Sequence, residues 1–529
     1  MNKYFDYAAT SLPNMVAIKK VMNKIPSYVL FGNPSSLHSN GILAKKLMEQ
    51  QRELLSSLLT DEESDIIFTS GGTESDNLAI KGTILQYKPE EAEIITSKIE
   101  HPAVLNTCKD LENLGYKVHY ISVYSDGEVD LDELKSKINE KTKLVSIMAV
   151  NNEIGTIEPL REIREIIDAK KQDLGIDLIF HSDFVQSVGN CDLLELIKYV
   201  DMASFSAHKF GGLKGVGFLT KQKDIKLNPL FQGGNQENGL RSGTENVFGI
   251  LVMNECFWNV LKNFYSDKKD KLAYYRDEIF NKIKSEIPNA ILNGLGAYIA
   301  PTILNIGFKD IDARTLQMLL NNDGFAVSVG SACHSDINEV SHVLKAINVP
   351  EEYQNGCIRI SLSYSHTKRD IDALVKSIIK NVTFHSLLIP FGTIIGTLVF
   401  SAIAAIIMDS ISLFDCLAIG SGYGYYSLSS ILIMQIKTPI TGSHIASTIG
   451  AIALISNVLR ELFTLVFAPI IVRHFGPISL ICSGGATTAD TTLPIITRYC
   501  GNNYVAISII HGLLVDFSVP FFVTLFAQT

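Results

Sequence analysis

Between residues 64 and 206, short apolar runs recur with amphipathic stretches between them: DIIFT at 65–69, EIITS at 93–97, residues 116–123, KLVSIMAV at 143–150, DLIFH at 177–181 and DMASFS at 201–206. Runs of this length without strict alternation read as strands covered on both faces. Their alternation with helical patterns such as residues 160–171 predicts a mostly parallel sheet with helices on both sides. After about residue 257 the pattern changes to a long helix over 259–286, followed by strands and helices through 382. That predicts a smaller α+β domain, with the N-terminal segment packed near it. From residue 387 the alternation stops. Residues 387–408 carry no charge and are long enough to cross a bilayer. Further apolar segments follow at 416–436 (interrupted by Gly420, Gly422 and Gly424), 438–459, 462–472, 475–489 and 504–526. Four or five crossings are expected, one of them discontinuous. The division is thus 1–257, 258–383 and a helical transmembrane domain over 384–529.

Charge sharpens this division. Residues 387–529 hold only nine charged side chains, whereas the first 386 carry 42 basic and 50 acidic ones. The front part is an ordinary soluble composition, able to bury a large core, and nothing in it is basic enough for nucleic acid. The eight cysteines form no CxxC pair, so neither a zinc site nor a disulfide framework is expected, and a reduced cytosolic setting fits. The first residues, MNKYFD, lack an apolar signal core, so no secretion signal is expected.

Candidate chemistry lies at the ends of the strands. In TSGGTESDN (69–77), glycines after a strand and before a helix let backbone N–H groups approach an anion, and Thr73 adds a hydroxyl. In HSDFVQ (181–186), Asp183 ends a strand, where its carboxylate could hold the nitrogen of a pyridine ring protonated. His101, in EHPA, follows another strand and could stack on a ring. Lys209, in SAHKFGG, follows a third. Each has an ordinary reading: a turn with a helix cap, a capping Asp, a loop histidine, an exposed lysine. Together, in this order at one sheet end, they match the needs of a pyridoxal 5'-phosphate site. Cys333, in GSACHS, has polar neighbours that argue against its being a buried apolar filler.

Residues 1–383 resemble the cysteine desulfurases of NifS/IscS type, in the class V aminotransferase group of fold type I enzymes. The resemblance rests on YFDYAATS (4–11), GNPSSLH (32–38), TSGGTESDN (69–77), VNNEIGTIEP (150–159), HSDFVQSVG (181–189), SAHKF (206–210), RSGTEN (241–246), GSAC (330–333) and IRISL (358–362). It implies an α/β PLP fold, a homodimer, L-cysteine as substrate and a sulfur-acceptor protein such as one of iron–sulfur cluster assembly, with no metal. It also implies Lys209 as the Schiff-base lysine, Asp183 at the ring nitrogen, Gln186 at the ring hydroxyl and His101 on the ring face. Gly72, Thr73, Ser206 and His208 would contact the phosphate, with Thr244 reaching it from the partner subunit. Asn152 and Arg359 would hold the substrate carboxylate, and Cys333 would take the sulfur. Tyr7, the run HSDIN after Cys333, and Ser363 depart from the family pattern.

The tail resembles the C-terminal half of the lysine exporter family, through LAIGSGYGYYSLSS (417–430), SNVLREL (456–462), SGGATTADTTLPII (483–496) and HG (511–512). Glu461 and Asp490 match that family's intramembrane acids, and the family's N-terminal membrane half has no counterpart here. Three functional expectations follow: a desulfurase tethered to the cell membrane with its enzyme part cytoplasmic, an amino-acid exporter with an attached enzyme or sensor, or the joined product of two neighbouring genes.

Overall fold

The computed structural model describes residues 3–59, 64–294, 296, 298–309, 311–329, 340–383, 385–408, 411–501 and 504–529. The chain forms two compact units, Met1–Ala313 with Gly324–Val375, and Arg314–Asp323 with Lys376–Thr529.

The first unit is built on a seven-stranded sheet of β1 (Ser64–Thr69), β2 (Glu93–Ser97), β3 (Lys117–Ile121), β4 (Thr142–Ser146), β5 (Ile179–Asp183), β6 (Met202–Ser206) and β7 (Gly217–Gln222). Their order is β1-β7-β6-β5-β4-β2-β3. β3, β2, β4, β5 and β6 pair in parallel, and β7 runs antiparallel to both of its neighbours. The pattern reading missed β7 and overran β4. Residues 147–150 leave the strand but stay tied to β5, since Ile147 N donates to His181 O and Ala149 N to Asp183 O (3.2 and 3.0 Å). The sheet is buried on both faces: residues of β2 and β6 are buried throughout. Apolar clusters lie on the two sides, one including Phe180, Phe205 and Phe218, the other Ile80, Ile94 and Leu144.

The long helix expected at 259–286 is two helices, Val247–Phe264 and Lys268–Glu286. The first is mostly buried along its length. The second buries only a stripe of Leu272, Tyr275, Ile279 and Ile283, whose spacing of three to four marks one face. Differently covered helices need different axes, and the chain turns at Tyr265–Asp267. A second, antiparallel sheet follows: β8 (Ile291–Asn293), β9 (Ile303–Gly307), β10 (Ser328–Val329) and β11 (Cys357–Ser361), in the order β10-β11-β9-β8. The N-terminal segment joins it, Tyr4 bridging Ala326 and Asp6 bridging Ser361.

In the second unit, three helices among the described residues are long and apolar enough to cross a membrane: Ile389–Ile407, Ser443–Phe475 and Ile507–Ala527. The segment expected at 462–472 and most of that expected at 438–459 form one helix, Ser443–Phe475, with Arg460 and Glu461 inside it. The segment at 416–436 is broken, as its glycines foretold, into Leu413–Gly420 and Tyr426–Thr441, and the region after 475 into Pro477–Gly484 and Leu493–Cys500. These breaks meet. Ala486 N donates to Tyr423 O (2.8 Å), and Gly485, at φ +61°, leaves no room for a side chain, because a Cβ there would lie 2.0 Å from Tyr423 O.

Candidate active site

The carboxyl ends of β1, β2, β4, β5 and β6 face one cavity of about 240 Å³. It is lined by Gly72, Thr73, His101, Asn152, Asp183, Gln186, Ser206, His208 and Lys209, all expected from sequence, and by Ala9, Asp76, Met148, Val150 and Val185. Local geometry explains the meeting. Gly71 has φ +151°, a region open to glycine, and turns the chain into the helix Gly72–Ile84. A Cβ on Gly72 would lie 2.5 Å from Val185 Cγ2, so only glycine lets this helix start come so close to the end of β5. The Lys209 ammonium donates to the carbonyls of Ala8 and Ala9 (2.8 and 3.0 Å), and Gln186 Nε2 also donates to Ala8 O (2.7 Å). Ser11 Oγ donates to Lys209 O (2.6 Å). The N-terminal segment thus forms one wall of the site.

The electrostatics are those of a desolvated acid cluster. Asp183 accepts from Val185 N (2.8 Å), and burial raises its pKa against the opposing pull of that hydrogen bond and of Lys209. Asp76, buried beside it, is raised well above the usual carboxylate range by burial and by the Asp183 charge. Two carboxyls that close cannot both ionise without a counter-charge. Asp76 was not singled out from sequence. Its signal was its spacing, since three residues after Thr73 on a helix places it on the same face. Glu100 is fully buried. It accepts from Ser97 Oγ (2.6 Å) and Met148 N (3.0 Å), its other oxygen has no partner, and burial pushes it to about 8. His101 caps the helix Pro102–Asn113 through Nδ1, accepting from Ala103 N (3.1 Å). Burial, with Lys209 and His342 nearby, lowers it to about 4, so its ring is neutral at pH 7. Burial, with Lys209 and Lys214 nearby, likewise lowers His208 to about 4.

Three expected residues are not among those lining this cavity. Arg359 lies behind Asn152, donating through Nη1 to Asn152 O (2.8 Å) and through Nη2 to Asp6 Oδ1 (2.9 Å). Thr244 lines a separate cavity of about 90 Å³ with Arg241 and Asn246. Cys333 lies outside the described residues. Cys357, another thiol of the small domain, is buried, donates to Tyr353 O (3.2 Å) and is pushed by burial to about 12, which makes it a poor nucleophile.

The donor set fits pyridoxal 5'-phosphate. The first turn of Gly72–Ile84 offers N–H groups with no partner inside the helix. Thr73, Ser206 and His208 stand beside them. The one acid of that turn, Glu74, is occupied elsewhere, accepting from Ser70 N (2.8 Å) and Arg241 Nε (2.9 Å), so it does not oppose a phosphate. Asp183 supplies the buried carboxylate a ring nitrogen requires, and Lys209 the amine.

In the second unit, Arg460 donates to the carbonyls of Ser483 and Cys482 (3.0 and 2.9 Å) and to Thr397 Oγ1 (3.3 Å), and so caps the end of Pro477–Gly484. His511 bridges Thr393 and Thr488 hydroxyls (2.8 and 2.9 Å). Glu461 is half-buried and Asp490 exposed. No metal-binding group of His, Cys, Asp and Glu occurs among the described residues of the chain.

Residues 3–374 match the family "Aminotransferase class-V" and residues 365–527 match "Lysine exporter LysO". A cysteine desulfurase IscS of Dictyoglomus turgidum is 42% identical over 370 residues, which is 70% of this chain and 91% of that protein. A solved NifS-like protein is 36% identical with a TM-score of 0.66, covering 73% of this chain and all of its own. SspA in complex with cysteine is 33% identical with a TM-score of 0.58, over 68% of this chain and 99% of its own. With the lysine, the acid and the anion cradle at one sheet end and these relatives matched along nearly their whole length, the chain belongs to the aminotransferase class-V family, as a pyridoxal 5'-phosphate-dependent cysteine desulfurase that continues into a lysine exporter LysO domain.

Proposed function

We propose that this chain is a membrane-tethered desulfurase that takes sulfur from L-cysteine onto Cys333 and passes it to an acceptor protein. The observation that carries the reading is the gathering of Lys209, Asp183, His101 and the Gly72–Thr73 turn around one cavity. When bound, the cofactor supplies an electron sink for the substrate's α-carbon. Asp183 would hold its ring nitrogen, Gln186 its hydroxyl, and Thr73, Ser206 and His208 its phosphate, while His101 packs on the ring as a neutral imidazole. The Ala8 and Ala9 carbonyls give the Lys209 amine a fixed place from which to take the α-proton at Nζ. Asn152 and Arg359 orient the substrate carboxylate. The Cys333 thiolate attacks the substrate sulfur: a Cys333 Sγ–S bond forms, the substrate Cβ–S bond breaks with its electron pair left on the carbon side, Cβ takes a proton and Lys209 Nζ returns one to Cα, giving alanine and leaving a persulfide. The SspA relative was solved with cysteine, which supports this substrate class.

A homodimer fits the exposure of apolar side chains in the N-terminal part of the first unit, Val16, Phe31 and Leu37 being 76, 85 and 92% exposed, which a partner surface would cover. Membrane attachment is supported by the three apolar helices and the LysO match, with the enzyme part in the cytoplasm, where thiols stay reduced.

The deciding experiment uses full-length protein from the membrane fraction. Cys333→Ser is expected to keep the cofactor's absorption and to bind L-cysteine, but to make neither alanine nor persulfide. Normal turnover by that variant would defeat the assignment of the sulfur acceptor.

A further inference from the structure

The reading above gives Arg359 to the substrate carboxylate but leaves open what aims it. Arg359 is only 4% exposed, on β11, with its two terminal nitrogens engaged: Nη1 with Asn152 O (2.8 Å) and Nη2 with Asp6 Oδ1 (2.9 Å). Nε is buried and has no partner. An arginine carries donors on all three nitrogens in a rigid plane, so fixing two of them fixes the direction of the third. A buried donor left without an acceptor costs free energy, and a site tolerates that where a ligand supplies the acceptor.

Asp6 is itself held from both sides. It bridges to Ser361 on the same strand as Arg359, and Ala8 N, two residues on, donates to Ser361 Oγ (2.9 Å). The next two carbonyls hold Lys209 Nζ. One short segment, residues 6–9, therefore ties the arginine to the lysine.

We infer that Asp6 is a positioning residue that, with the Asn152 carbonyl, clamps the two terminal nitrogens of Arg359 and leaves its Nε edge for the α-carboxylate of the amino-acid substrate. This rests on the assignment of Arg359 to that carboxylate. Asp6 is not among the residues lining the cavity, so its removal should act on binding of the carboxylate and not on proton transfer or sulfur attack.

The test uses full-length, cofactor-loaded protein in detergent. Asp6→Ala is expected to raise KM for L-cysteine about tenfold with kcat within about twofold of the parent. The dissociation constant for L-alanine, followed by the cofactor's absorption and independent of turnover, should rise by the same factor. Asp6→Asn, which keeps one acceptor, should recover most of the loss, with KM about threefold above the parent. In an Arg359→Lys background, Asp6→Ala should change KM little, because the clamped group is gone. Unchanged or lowered KM in Asp6→Ala, or a fall in kcat with KM constant, would overturn the inference. If Asp6→Ala does not load cofactor, Asp6→Asn decides alone, and parental KM and L-alanine affinity would overturn it. Should Arg359→Lys itself leave KM unchanged, the carboxylate assignment fails instead, which is a separate result.

Discussion

The sheet end around Lys209 and the helix breaks of the tail both bury polar groups, and they do so for opposite purposes. At the sheet end the buried groups are ionisable: desolvation shifts Asp76, Glu100, Asp183 and His181, and the Asp183 charge raises both Asp76 and Glu100. In the tail, hydroxyls, an asparagine and a guanidinium mostly satisfy backbone. Asn457 Oδ1 accepts from Gly424 N (2.8 Å), and Arg460 caps the carbonyls of Cys482 and Ser483. The tail turns Phe400, Ile406 and Phe517 outward at 73, 79 and 80% exposure, as a lipid-facing helix must. One region buries ionisable side chains against one another, and the other turns polar side chains onto the backbone of its helix breaks, where a bilayer offers no water to satisfy it.

The sharpest way to separate the two regions is to disable one of them. Lys209→Ala should lower alanine formation at least about 10³-fold, the scale of a lost proton-transfer group, while the protein still resists carbonate extraction from membranes. Release from the membrane by this substitution would break the claim that the regions are independent. The converse comparison tests transport. If the LysO-matching tail acts as half of an exporter, it should restore lysine efflux to a deficient host only when a separate N-terminal half is co-expressed. Efflux from this chain alone, abolished by Glu461→Gln or Asp490→Asn, would overturn the tether reading and promote the exporter reading.

A smaller effect probes the capping role. Arg460→Met leaves two helix-end carbonyls without their donor, and should cost about 3 kcal/mol of the tail's stability, read as a lower unfolding temperature in detergent with desulfurase turnover unchanged. A change in turnover would tie the break to the enzyme. The smallest effect concerns Glu100. Its folded pKa, about 8, lies above the unfolded value, so the folded state holds an extra proton. The associated stability is fully present below about pH 4.5 and is lost as pH rises to about 8. Between pH 6.5 and 8, Glu100→Gln should therefore lose less stability than the parent, with no further divergence above pH 8. Parallel profiles would mean that the carboxyl is ionised in the fold.

Much of the site was legible in the sequence because its parts are local. TSGG before a helix, HSD at a strand end and SAHKF after another each carry their geometry within a few residues, and parallel strands bring all their carboxyl ends to one edge. Residues that act through distant partners were not legible. Asp76 stood in the motif unremarked, since only the approach of β5 makes it a buried partner of Asp183. The surroundings of Asp6 and Glu100 likewise depend on residues far away in sequence, Arg359 for the one and Met148 for the other. β7 was missed because GFLTKQ is apolar only in part and gains its place from β1 and β6 on either side. In the tail, hydropathy located the apolar stretches and the glycines located the first break. It could not decide that Arg460 and Glu461 lie inside one 33-residue helix instead of between two. A charge in an apolar run reads as an end until a partner is seen, and the partner of Arg460 is a pair of carbonyls released by the break of another helix.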